Sequence, residues 1–246
     1  MLAYLGVRRL FLSRAEYLTQ AHFPGVSTSV TTPPDVDRAL GTGACAALSS
    51  VVGWEGEVQP LGSWHAEIRK RLGSRAPLLI ADYSHGGAIG LPAFESLAAD
   101  IVCGEVSKWL LPSGSDRSLT FIWCRTSALQ RAVESALGGF YLAVGGEQTG
   151  RKARWLIPRE LEGIARELAS SVRSRAGLAR IHRANLELAH RVCADIARTR
   201  FRGSTIVQVP VGSRRPLLSR LRRAGLTIQL DASTERVLCR SDQLEC

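Results

Sequence analysis

Residues 77–81 (PLLIA) are apolar throughout, and the run breaks off at once into Asp82-Tyr83-Ser84-His85-Gly86-Gly87. A short apolar run with no polar alternation, closed by a turn-forming sequence, describes a strand buried inside a sheet. Further short runs of this kind occur at 7–13 (VRRLFLS), 46–54 (AALSSVVGW) and 100–103 (DIVC), and in LTFIWC, which ends just before Arg125. A helix is expected between two of them, over 63–72, with Ser63 as its N-cap. Strands of this length separated by helical segments confine the chain to the α/β class, with a mostly parallel sheet and flanking helices. In such sheets ligands gather at the carboxyl ends of the strands. Asp82 and His85, three residues apart just past one such end, stand where a site would form.

Lys108 is the second unusual feature. The chain holds 32 basic residues, and only Lys70, Lys108 and Lys152 are lysines. Lys108 lies in the largely apolar segment 98–112 (AADIVCGEVSKWLLP), in a protein that otherwise takes its positive charge from arginine. A primary amine can lose its proton when burial lowers its pKa, and the free amine attacks carbonyls to form a Schiff base; a guanidinium cannot. The alternative is an amphipathic side chain whose stem packs while its ammonium reaches water.

Taken together, ADYSHGGAIGLPAFESLAADIVCGEVSKWLLPSGS and the following LTFIWCR resemble the class V aminotransferase branch of the fold-type I pyridoxal-phosphate enzymes, which includes cysteine desulfurases and isopenicillin N epimerase-like proteins. The shared pattern is an apolar strand, Asp-x-x-His or Gln, a short aspartate-containing strand, and a Lys-Trp-Leu segment followed by a strand that leads into an arginine. The resemblance implies pyridoxal 5'-phosphate as cofactor, held by Lys108 as an internal aldimine. It implies that Asp82 pairs with the pyridine nitrogen, so that the ring accepts electrons, and that His85 hydrogen-bonds the ring oxygen. Lys108 would then also move the proton at the substrate α-carbon. Tyr17, with His22 and Phe23 as alternatives, falls where relatives stack a side chain on the cofactor. Thr149 falls where they reach across a homodimer to the partner's phosphate.

The chain also departs from that pattern. Ser107 replaces the usual histidine before the lysine, although its hydroxyl can donate to the cofactor. Glu105 puts a carboxylate where relatives carry a neutral polar residue near the phosphate, and a carboxylate there repels a dianion unless it turns away or is paired. The glycine-rich phosphate loop at a helix N-terminus has no counterpart, and Met1-Leu2-Ala3-Tyr4-Leu5-Gly6 reads like the end of the helix that follows it. The expectation is therefore an incomplete large domain of the aspartate aminotransferase-like fold over 1–145, followed by a small α+β C-terminal domain over 146–246. The function implied is a pyridoxal-phosphate-dependent, amino-acid-transforming enzyme. The alternative is a truncated, non-catalytic homologue, or one half of a split enzyme that needs a partner chain for its first segment.

Charge divides the chain at the same place. Residues 1–145 carry 12 basic and 12 acidic side chains, and 146–246 carry 20 and 10, so the whole net charge of +10 lies in the second part. Helices over 158–175 and 178–199 place arginines opposite a broken apolar stripe. That face suits either a phosphate-rich partner or plain solvation; no nucleic-acid motif or aromatic platform accompanies it, which favours solvation. Strands are expected at 205–211, 226–230 and 236–239, with a short helix at 216–224. Arg236 and Arg240 straddle the place where relatives bind a substrate carboxylate. Residues 27–34 (STSVTTPP) read as a polar loop. The six cysteines contain no C-x-x-C pair and no zinc spacing, which suits reduced, buried thiols in the cytoplasm. The chain has no apolar stretch of membrane-spanning length.

Overall fold

A computed structural model describes residues 2, 5–13, 27–31, 45–53, 56–86, 94–105, 120–144, 175–208, 219, 228–230 and 236–239. Six strands form one sheet: β1 (Arg9–Ser13), β2 (Ser27–Thr31), β3 (Cys45–Ser50), β4 (Leu78–Asp82), β5 (Ile101–Glu105) and β6 (Thr120–Cys124). Their order is β2-β1-β3-β4-β5-β6, and every pairing is parallel except β5 with β6. The apolar runs read from the sequence are thus the strands, shifted by one or two residues at their ends, except that β3 stops at Ser50, four residues short of the run read at 46–54. Residues 27–31 are a correction. They form the edge strand β2, because Thr28, Val30 and Thr31 include the β-branched types that favour extended backbone, and Ser27 N–H reaches the Arg8 carbonyl at 3.1 Å.

Alternate residues of the central strands serve two apolar layers, as expected of a parallel sheet covered on both faces. Leu10, Leu12, Ala46, Leu48, Ile80 and Ile101 face one side, where Val133 of α2 (Ser127–Val144) closes the layer. Phe11, Ala47 and Leu79 face the other, against Ile68 of α1 (Leu61–Leu72). Leu61, His65 and Ile68 repeat at helical spacing and are all buried. Arg69, Lys70 and Arg71 occupy the last turn, where cations suit the helix dipole. The expected Ser63 cap is corrected. The helix starts at Leu61, Pro60 takes the capping position without any side-chain hydrogen bond, and Ser63 lies inside the first turn. Proline lacks an N–H that would need capping, and its φ is already fixed near the helical value.

A separate cluster pins the amino ends of β4 and β5. Asp100 Oδ2 accepts the Leu79 N–H at 2.9 Å while its Oδ1 accepts Arg69 Nη2 at 2.6 Å. Arg125 Nε–H donates to the Ala99 carbonyl at 2.8 Å. The aspartate before β5 and the arginine after β6 therefore fix strand register at the end of the sheet remote from Asp82.

In the C-terminal part, α3 (Arg175–Arg191) runs into a π-helical turn (Val192–Ala197), and the chain reverses at Arg198 with φ +52°. The helix expected over 178–199 therefore begins three residues earlier and loses α geometry at Val192. Strands β7 (Ile206–Gln208), β8 (Ile228–Leu230) and β9 (Arg236–Cys239) form an antiparallel sheet ordered β7-β9-β8. Ile206 inserts into the apolar cluster of Val51, Val52, Ala81, Tyr83 and Val102, tying this sheet to the larger one. Ser204 Oγ–H donates to the Gly56 carbonyl at 2.6 Å. Gly56 has φ +85°, and a Cβ there would stand 2.6 Å from the Ile206 carbonyl oxygen. The 145/146 boundary lies outside the described residues, as does the helix expected over 158–175 apart from Arg175, and of 216–224 only Ser219 is described, as helix. No helix among the described residues is long and apolar enough to cross a membrane.

Candidate active site at the carboxyl ends of β3, β4 and β5

Asp82 is the last residue of β4. It pairs in register with Ser50, the last residue of β3, on one side and with Cys103 of β5 on the other. In-register neighbours of a parallel sheet share a face, so Ser50, Asp82 and Cys103 form a polar row on the α2 side, above the apolar layer of Leu48, Ile80 and Ile101. The chain then turns sharply. Asp82 Oδ1 accepts the Ser84 N–H at 2.8 Å, an Asx turn that fixes the carboxylate's orientation. Tyr83 N–H donates to the Cys103 carbonyl at 2.6 Å, and Gly86 N–H to the Tyr83 carbonyl at 2.8 Å.

Two glycines make this turn sterically feasible. A Cβ on Gly86 would collide with the Tyr83 ring. A Cβ on Gly104 would stand 2.7 Å from the Tyr83 carbonyl carbon and 2.9 Å from the Ser84 nitrogen. Tyr83 itself is fully buried, with edge contacts to Phe94 at 5.5 Å and to Phe121 at 6.4 Å. Its ring anchors the turn, so Asp82 before it and His85 after it are left half-buried at the rim.

Electrostatics in the row are set by burial. Burial, with a smaller contribution from the Asp82 charge, pushes the Cys103 thiol up to about 12. The thiol therefore stays protonated beside the carboxylate at neutral pH. Burial likewise raises the Tyr83 hydroxyl, which keeps it neutral. Cys45, Cys103 and Cys124 are free and half-buried, whereas Cys193 is free and fully buried. The burial expected of the thiols is thus complete at Cys193 and partial at the other three.

Of the residues singled out in the sequence, the structure brings Asp82 and His85 to the same turn. Glu105 ends β5, two residues past the Asp82–Cys103 pair, and pairs with Thr120 of β6. Lys108, Ser107, Tyr17 and Thr149 lie outside the described residues, as do His22, Phe23 and Arg240. Ser50 and Cys103 were not anticipated as site residues. The polar pair Ser49-Ser50 closing an apolar run was the available signal, but register decides which serine faces Asp82. The donor set suits an aromatic nitrogen heterocycle. It offers a carboxylate with one oxygen oriented by the Ser84 N–H, an imidazole three residues on, and a turn with no Cβ at Gly86.

No protein-family model and no curated protein sequence matches the chain. Solved structures do match in fold. An aspartate aminotransferase of subgroup IV from Thermus thermophilus is similar with TM-score 0.61 at 14% identity, over 94% of this chain and 71% of that one. A SepCysS–SepCysE N-terminal domain complex is similar with TM-score 0.60 at 8% identity, over 98% of this chain and 71% of that one. An alanine–glyoxylate aminotransferase from Nostoc sp. is similar with TM-score 0.56 at 16% identity, over 94% of this chain and 68% of that one. The chain therefore has the aspartate aminotransferase-like α/β fold of the fold-type I pyridoxal-phosphate enzymes, the fold of aminotransferases and C–S lyases.

Proposed function

We propose that the chain is a pyridoxal-phosphate-dependent enzyme of the class V aminotransferase type, acting on an amino acid, with Lys108 as the amine that holds the cofactor. The observation that carries this reading is the position of Asp82. It closes a central parallel strand of this fold, with its carboxylate oriented by the Ser84 N–H at 2.8 Å. Lys108 follows Glu105, the end of the adjacent strand, by three residues, a length of chain that spans at most about 11 Å. That tether limits only how far the Lys108 backbone can lie from the end of β5.

When bound, the cofactor supplies an electron-accepting ring for the carbanion at the substrate α-carbon. The chain's own residues do the rest. Asp82 holds the proton on the pyridine nitrogen, His85 hydrogen-bonds the ring oxygen, and Tyr17 stacks on the ring. Ser107 donates a hydrogen bond to the cofactor, and Thr149 donates to the phosphate across a homodimer. The Lys108 amine moves the proton at the α-carbon. Residues 1–145 form the cofactor domain and 146–246 the smaller one. The free thiols suit a cytoplasmic setting. A second polypeptide that completes the phosphate site is the alternative arrangement. The SepCysS–SepCysE N-terminal domain complex is an instance of this fold meeting a second polypeptide.

The test is reconstitution. Purified protein incubated with pyridoxal phosphate is expected to gain a visible Schiff-base absorption band. Borohydride is expected to trap the cofactor on the peptide containing Lys108, and Lys108→Ala to abolish both signals. A protein that stays colourless, alone and with candidate partner chains, defeats the reading.

A further inference from the structure

We infer that Cys103 is a positioning residue for Asp82, with its thiol flanking the carboxylate and its carbonyl holding the turn that aims it. The inference rests on the function proposed above as regards the cofactor, but the geometry stands apart from it. Cys103 grips the turn twice. Its side chain shares the face of Asp82 through direct in-register pairing, and its carbonyl accepts the Tyr83 N–H at 2.6 Å. The next residue, Gly104, lets β5 press against the Tyr83 and Ser84 backbone, so neither grip can slacken without opening that contact. Ser50, 3% exposed, closes the opposite flank of the carboxylate. Across β6 the thiol's neighbour is Ile122, which carries no charge. Among the described residues, the ionisable groups on the elements around it are Asp82 and His85 of the β4 turn, Glu105 on its own strand, Cys124 on β6, and Arg131 and Glu134 on α2.

The chemistry of that flank is specific. A carboxylate that must stay anionic against a ring N–H is disfavoured by a neighbouring anion and by bulk on either side. A buried thiol is a small neutral group with a weak S–H donor. It fills the space beside the carboxylate, adds no charge, and leaves the Ser84 N–H on one oxygen undisturbed. A serine of similar shape can do the same, and alanine leaves the flank empty.

The decisive experiment needs no cofactor. Alkylation of Cys103 is followed against pH by peptide-resolved mass spectrometry, with Cys45, at the opposite end of β3, as internal reference. In Asp82→Asn, which removes the charge facing the thiol, the Cys103 rate relative to Cys45 is expected to rise about threefold at fixed pH, the change that half a unit of acidity produces. In Asp82→Glu, which keeps the charge, the ratio is expected to stay at the wild-type value. An unchanged ratio in Asp82→Asn, or an equal rise in both variants, overturns the inference. The cofactor arm is separate. Cys103→Ala is expected to raise the half-saturating concentration of pyridoxal phosphate severalfold and Cys103→Ser to restore it, and wild-type uptake by Cys103→Ala also overturns the inference. A wild-type chain that takes up no cofactor defeats the proposed function while the alkylation result still decides the position of Cys103.

Discussion

Gly86 sits so close beneath the ring of Tyr83 that a single added methyl would overlap the aromatic carbons. The Gly86 N–H also closes onto the Tyr83 carbonyl at 2.8 Å, so ring and backbone turn form one unit. The ring is fully buried and cannot move aside without disturbing Phe94 and Phe121. That unit places Asp82 and His85 at its two ends.

Gly86→Ala is therefore expected to destabilise the fold by about 1–3 kcal/mol, the usual cost of forcing extra volume into a packed core. Urea unfolding monitored by tryptophan fluorescence measures it. A midpoint equal to that of the wild type would contradict the contact.

Asp82→Asn keeps the side chain's shape and the acceptor for the Ser84 N–H but removes the charge. A hydrogen bond to a charged group contributes about 1.5–3 kcal/mol, so pyridoxal-phosphate affinity is expected to fall about tenfold or more while thermal stability changes little. Equilibrium titration of the visible band, with a melting curve beside it, separates the two effects.

Asp100→Ala removes the acceptor of the Leu79 N–H and of Arg69 Nη2 together. A buried donor left without a partner costs about 1–3 kcal/mol. The loss is expected in stability, and hydrogen exchange should quicken at Leu79 and its strand neighbours. Arg69→Met keeps the Asp100–Leu79 bond and is expected to cost less.

His65 is buried, and its Nδ1–H donates to the Leu97 carbonyl at 2.8 Å. Burial lowers its pKa from 6.5 to about 4. A histidine with a depressed native pKa binds its proton more tightly when unfolded. Its stabilising effect is therefore complete above pH 6.5 and is lost as pH falls toward about 4. The span corresponds to about 3 kcal/mol. Stability measured by urea across that window is expected to fall less steeply in His65→Gln, while the two proteins keep parallel profiles above neutrality.

The amino-acid sequence by itself determined the strands of the larger sheet that are built from continuous apolar runs. The run at 77–81 must be buried on both faces wherever it lies, because nothing in it tolerates water, and the polar turn after it must stand at the rim. Asp82 and His85 were legible for that reason, and so was α1, whose apolar residues recur at helical spacing. Ser27–Thr31 was not legible, since a polar edge strand earns its extended form from its neighbour and carries no apolar signature. Only the tertiary structure decided that Ser50 and Cys103 flank Asp82. Register is fixed by contacts between distant segments, among them the Asp100 carboxylate on Leu79 and the bare Gly104 against the Tyr83 turn. Local sequence spacing carries no information about which residue of one strand lies beside which residue of the next.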